Sequence, residues 1–152
     1  MAELRLLLAD DHTLFRQGLR KILEERPEWQ VVAEAENGKV AIKKAIELEP
    51  DVVMLDIGMP VLNGIDATRQ IVRKAPKTRV LILSMYSDES YVVRALNAGA
   101  TGYLLKDSAG KELLKAVAAV AQGTAYFSPA ISRLMLDDYM RRAASAGART
   151  AE

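Results

Sequence analysis

Residues 51–64 read D-V-V-M-L-D-I-G-M-P-V-L-N-G. An apolar, partly β-branched run follows Pro50 and stops on a carboxylate, Asp56. Gly58, Pro60, Asn63 and Gly64 then make a loop, and helical spacing begins. A run that is apolar at consecutive positions predicts a strand covered on both faces, which is the habit of parallel sheets. This one stretch therefore predicts a central strand that carries an acid at its downstream end.

The same arrangement recurs on either side. L-R-L-L-L-A (4–9) runs into Asp10 and Asp11, V-L-I-L (80–83) into Ser84, and Y-L-L (103–105) into Lys106. Residues 30–35 form one more strand, with Val31-Val32 near its centre. Between these runs the apolar residues fall at helical spacing, as with Leu14, Phe15, Leu19, Ile22 and Leu23. Further helices are expected from the Asn37-Gly38 turn to Leu48, after Gly64 to Lys74, from an Ser87 or Asp88 cap to Asn97, and from an Asp107 or Ser108 cap to Ala121. Strands separated by single helices imply a parallel sheet with right-handed crossovers. Five such units are too few for a closed barrel, so the expected fold class is α/β, an open doubly wound five-stranded sheet with helices on both faces.

The tail reads differently. Gly123 to Ser128 is taken as a connector, Ser128-Pro129 as the start of a short linker helix over about 129–142, and A-A-S-A-G-A-R-T-A-E as a flexible end. The expected division is a domain over 1–122 and a linker over 123–152. Elsewhere, Met54 and Met85 are read as core, Trp29 as surface or edge packing, His12 as a solvated first-turn residue, and Arg16, Arg20, Lys21, Glu24 and Glu25 as a solvated helix face.

Composition narrows the function. The 152 residues are 50% hydrophobic, enough for a core without staples. Cysteine is absent, which excludes disulfides and thiolate metal sites. Apolar stretches are too short to span a membrane, and the strand-like start leaves no signal peptide, so a cytoplasmic location is expected. With 21 basic and 20 acidic residues the net charge is +1, no footprint for nucleic acid.

The strand ends carry the chemistry. In an open parallel sheet these ends share one edge, and ligands bind there. Asp10, Asp11 and Asp56 would meet, and adjacent carboxylates raise one another's pKa. A cation offsets that cost, and an oxygen-only set favours Mg²⁺, with Mn²⁺ as a substitute. A carboxylate can accept a phosphoryl group, and Asp56 is the best placed to do so. Lys106 and the Ser84 hydroxyl would then hold phosphoryl oxygens.

These residues match a known family. The D-D pair, D-I-G-M-P-V-L-N-G, Ser84 and Y-L-L-K resemble the receiver domain of bacterial response regulators. L-L-L-A-D-D-H, L-S-M-Y-S-D-E-S-Y-V, G-A-T-G-Y-L-L-K-D-S and Y-F-S-P-A-I-S-R-L-M-L are similar to its NarL/FixJ branch, and the likeness covers about residues 1–142. The resemblance implies a flavodoxin-like sheet of order 2-1-3-4-5. It implies Asp56 as phosphoacceptor, with Asp11, Asp56 and the Gly58 carbonyl on Mg²⁺ and Asp10 reaching it through water. Ser84 and Tyr103 would be switch residues, Lys106 would bind phosphate, and Gly58 and Tyr86 would tune phosphoryl lifetime. Asp107 follows Lys106 where many receivers have proline, so a trans peptide is expected.

The implied partners are a sensor histidine kinase, a second copy after phosphorylation, and DNA through a C-terminal helix-turn-helix domain that this chain lacks. The chain then reads as a switch rather than an enzyme and as a piece of a longer transcription regulator. Tyr103 is expected to swing inward from a solvated position on phosphorylation. The alternatives are a stand-alone receiver, a haloacid-dehalogenase-like phosphatase, or a flavodoxin. The phosphatase would need D-x-D after the first strand and a cap insertion; the flavodoxin would need a hydroxyl- and glycine-rich phosphate loop there. This chain has D-D-H-T-L-F.

Overall fold

The computed structural model of the chain describes residues 3–150, with side chains to residue 146. Six strands alternate with helices: β1 (Leu4–Ala9), α1 (Thr13–Leu23), β2 (Trp29–Ala35), α2 (Gly38–Leu48), β3 (Val52–Asp56), α3 (Gly64–Lys74), β4 (Arg79–Ser84), α4 (Glu89–Asn97), β5 (Gly102–Leu105), α5 (Ala109–Ala121), β6 (Tyr126–Phe127) and α6 (Pro129–Thr150). The sheet order is β2-β1-β3-β4-β5-β6, and every pairing is parallel. The expected 2-1-3-4-5 order is present, in the flavodoxin-like arrangement. The added strand β6 corrects the expectation of five: Tyr126 and Phe127 pair with Gly102 and Tyr103 inside the stretch read as a connector.

Side-chain alternation along the strands splits the interior in two. Leu6, Leu8, Val52, Met54, Leu81, Leu83 and Leu104 face α1 and α5. Leu7, Ala9, Val53, Leu55, Val80, Ile82 and Tyr103 face α2, α3 and α4. Both faces of β1, β3 and β4 are thus buried, which is why their sequences are continuous apolar runs rather than alternating ones. The polar residues that end these strands emerge together at one edge.

Two close approaches hold the loop over that edge. A side chain on Gly64 would collide with the Asp56 carbonyl, and one on Gly38 with the Leu62 backbone. The Gly64 amide donates to the Ile57 carbonyl at 3.0 Å, seating the start of α3 against the end of β3. Asn37 and Asn63 cap α2 and α3, accepting from the Val40 and Asp66 amides. Between Pro60 and Leu62 the chain turns through Val61 at φ 70°, a left-handed conformation that a β-branched residue resists.

Several expectations are corrected. Helix α6 does not stop near residue 142 but continues to Thr150, so the stretch read as a flexible end is helical; residues 151–152 lie outside the described residues. Trp29 is buried in the α1/α5 core, with the Arg26 guanidinium over its ring. Met85 is exposed rather than core, whereas Met54 is wholly buried as expected. Asp88 and Ser108 occupy cap positions, but their side chains make no capping bond. Ser108 instead ends a one-turn 3-10 segment, Lys106–Ser108. No peptide bond among the described residues is cis, in keeping with the trans bond expected before Asp107. No helix among the described residues is long and apolar enough to cross a membrane.

Candidate functional site

Asp10 and Asp11 follow β1 directly, and Asp56 is the last residue of the neighbouring β3. Register places Ala9 opposite Leu55, so the acids leave the sheet side by side. Ligand atoms of Asp10, Asp11, His12 and Asp56 all lie within 4.8 Å of one another. Lys106 reaches in from the end of β5: its ammonium is 2.8 Å from Asp10 Oδ2 and 3.3 Å from Asp56 Oδ2. The same nitrogen sits 4.7 Å from the centre of the Phe15 ring, which carries it toward the acids. Asp10, Asp11, Asp56 and Lys106, far apart in sequence, are thereby brought together as expected.

Charge is costly at this site. Asp10 is fully buried, Asp56 nearly so, and Asp11 opens to solvent. Burial, and then the neighbouring Asp10 carboxylate, push the Asp56 pKa up; Lys106 and the Gly58 amide oppose them. That amide donates to Asp56 Oδ1 at 3.2 Å. Asp10 Oδ1 accepts the His12 amide at 2.8 Å, but Asp10 Oδ2 is buried with no hydrogen-bond partner. Lys106 therefore meets Oδ2 as an ion pair without hydrogen-bond alignment. Converging carboxylates, one of them with a buried oxygen that has an ion pair but no hydrogen bond, fit a hard divalent cation.

The expected switch residues stand slightly apart. Ser84 ends β4, buried, and its Oγ accepts the Tyr86 amide at 2.8 Å. Tyr103 is fully buried, which corrects the expectation of a solvated rotamer; its hydroxyl donates to the Tyr86 carbonyl at 2.7 Å. Burial raises its pKa. Tyr86 is half-exposed and stacks on Tyr91, with ring centres 4.8 Å apart. Tyr103 and Tyr86 are thus tied to each other rather than to the acids.

Beyond them, Ser128 Oγ accepts the Leu105 amide at 2.9 Å, one residue before Lys106, and the Ser128 amide donates to the Tyr103 carbonyl at 3.2 Å. The expected capping role of Ser128 falls instead to its backbone carbonyl, which accepts from Ile131 and Ser132, while the hydroxyl ties α6 to β5.

Three participants escaped the sequence reading. His12 is not merely solvated: its Nδ1 lies 3.2 Å from Asp10 Oδ1 and 3.4 Å from Asp11 Oδ1. Arg16, read as a solvated face, is buried; it donates to the Asp10 carbonyl and pairs with Glu34 at 2.7 Å. Burial would raise the Glu34 pKa, but Arg16 and Arg20 outweigh it and lower it. Phe15 was legible as helix core but not as the platform for Lys106. The available signal was spacing: Arg16 stands one helical turn after His12, on the face that meets the acids.

A response regulator receiver domain model matches residues 6–118. The transcriptional regulatory protein DegU of Brevibacillus brevis is 42% identical over 91% of this chain and 59% of its own. LnrK of Bacillus subtilis is 40% identical over 91% and 63%. The chain thus spans about three-fifths of the length of these curated relatives. Among solved structures, a LuxR-family two-component response regulator from Aurantimonas sp. SI85-9A1 superposes with a TM-score of 0.87 at 35% identity, covering 91% of this chain and 99% of that one. The receiver domain of NarL from Mycobacterium tuberculosis gives 0.76 at 38% identity, over 81% and 99%. With the acid cluster, the lysine and the sheet in the same arrangement as the motifs require, the chain belongs to the response regulator receiver domains of two-component systems, in their NarL-type branch.

Proposed function

We propose that this domain is switched by phosphorylation of Asp56, with a phosphohistidine of a sensor kinase as donor. An Asp56 carboxylate oxygen attacks phosphorus as the P–N bond breaks, and the bonding electron pair returns to the donor imidazole. Asp11, Asp56 and the Gly58 carbonyl would hold Mg²⁺, with Asp10 reaching it through water. When bound, the ion supplies charge neutralisation on the phosphoryl oxygens. Lys106 holds the incoming oxygens as a point charge, and Ser84 donates its hydroxyl to one of them. Gly58 and Tyr86 border the reacting group and set how readily water reaches it. Tyr103 follows the Ser84 movement and alters the α4–β5 face.

Residues 1–122 act as the receiver and 123–152 as the linker to a DNA-binding domain, with phosphorylation promoting pairing with a second copy. One relative, solved in two states, supports this reading. RcsB has been solved as dimers bound to DNA, and its isolated receiver with the phosphomimetic BeF₃⁻. The observation that carries the proposal is the Lys106 ammonium held 3.3 Å from the carboxylate that ends the central strand. Acetyl phosphate with Mg²⁺ is expected to add one phosphoryl group to the protein, read by intact mass, and Asp56→Asn to take none. Equal labelling of the two proteins would refute the assignment.

A further inference from the structure

We propose that His12 is a further donor to the cation held at Asp11 and Asp56, and that its nitrogen tilts the site toward first-row transition ions over Mg²⁺. The inference rests on the reading that this cluster holds a cation.

The geometry is that of a shared coordination sphere. Around an octahedral ion with donors at about 2.1 Å, neighbouring donors stand about 3.0 Å apart. His12 Nδ1 is 3.4 Å from Asp11 Oδ1, a direct ligand in the proposed site, and 3.2 Å from Asp10 Oδ1, which would reach the ion through water. A shift of a few tenths of an ångström would therefore place it on the same ion as the carboxylates. Its backbone helps to fix it there, since the His12 amide donates to Asp10 Oδ1 at 2.8 Å and its carbonyl accepts from Arg16 in the first turn of α1.

The company of Nδ1 is otherwise hard to satisfy. It faces two acceptor oxygens and, at 3.5 Å, the Lys106 ammonium, which only donates. A proton on Nδ1 suits the acids and opposes the ammonium; a lone pair does the reverse. A cation among them accepts from the oxygens and the nitrogen alike. Asp10 Oδ2 is buried and meets the Lys106 ammonium at 2.8 Å without a hydrogen bond, so the converging acids already draw positive charge into the cluster. Ligation requires the tautomer with its proton on Nε2.

The consequence is selectivity. Mg²⁺ gains little from an imidazole, whereas Co²⁺ and its neighbours in the first row gain much. The full chain and its His12→Ala variant are compared by titration with Mg²⁺ and Co²⁺ in one buffer, and by pulsed EPR of bound Mn²⁺. The ring is exposed and makes no side-chain cap, so the variant should fold, checked by circular dichroism. Expected are a loss of about tenfold in Co²⁺ affinity, a change under about twofold for Mg²⁺, and a ¹⁴N coupling to Mn²⁺ that the variant lacks. Equal changes for both ions, a gain in affinity on removing the ring, or no nitrogen coupling would overturn the proposal while leaving the acid site standing. Failure of the wild-type protein to bind any divalent cation would instead overturn the underlying reading.

Discussion

Two carboxylates in and beside the site, Asp56 and Glu34, respond to pH in opposite directions. Asp56 has its pKa raised above its ordinary 3.8, chiefly by burial. Such a group contributes most below its unfolded pKa and loses that contribution as pH rises through its folded one. Glu34, lowered from 4.5 by Arg16 and Arg20, contributes above its unfolded pKa and is lost as pH falls through its folded one. Without added cation, Asp56→Asn should therefore be more stable than wild type at neutral pH. The gap should close as pH falls toward 3.8, as read by urea melts across pH. Removing about 1 kcal/mol of repulsion would raise Tm by about 2–4 °C. Arg16→Ala should cost about 1–3 kcal/mol, because it strands the buried Asp10 carbonyl and leaves Glu34 with Arg20 alone. A cost under about 0.5 kcal/mol in the same melts would show that the buried guanidinium is dispensable. The raised Asp56 was legible in sequence through the meeting of the acids, whereas Arg16 sits among charges that do face water and is marked only by its spacing of one helical turn from His12.

Elements were far easier to read than individual side chains. Each central strand is a continuous apolar run punctuated by a polar residue, and that polar residue is also a candidate site residue; fold and candidate site were legible through one signal. What failed was structure without such a signal. Strand β6 has only two residues and no periodicity to detect. The end of α6 has no core-forming residues, yet alanine-rich sequence continues a helix already nucleated by packing. Met85 was misplaced because an apolar residue beyond a strand end looks like the strand itself.

At this scale, the close contact between α3 and β3 bears most directly on the acid that ends β3. Gly64→Ala would drive a methyl into the Asp56 backbone, so it should cost about 1–3 kcal/mol in a thermal melt and slow labelling by acetyl phosphate. Unchanged labelling would mean that the loop absorbs the methyl without moving the acid.

Across the molecule, α6 is built into the fold rather than appended to it. Ile131 is wholly buried in the α2–α4 core, and Leu134 and Met135 pack beside it. Ile131→Ala should cost about 2–5 kcal/mol in a urea melt, as for an interior position. A loss below about 1 kcal/mol would mark α6 as loosely laid on. Arg141 pairs with Glu89 at 2.9 Å across α6 and α4, but both side chains meet solvent, so Glu89→Gln should change stability by less than about 1 kcal/mol. Leu136, Tyr139 and Met140 remain exposed on the other side of α6.

The hydroxyl of Ser128 gives this arrangement a mechanical meaning. It grips the peptide just ahead of Lys106, and with the Ser128 amide on the Tyr103 carbonyl it links the strand end before the charged tip to the start of the long terminal rod. Any axial slide of that strand end must drag the rod along or snap the link. The serine is thus a clutch between the charged cluster at the sheet edge and the terminal rod.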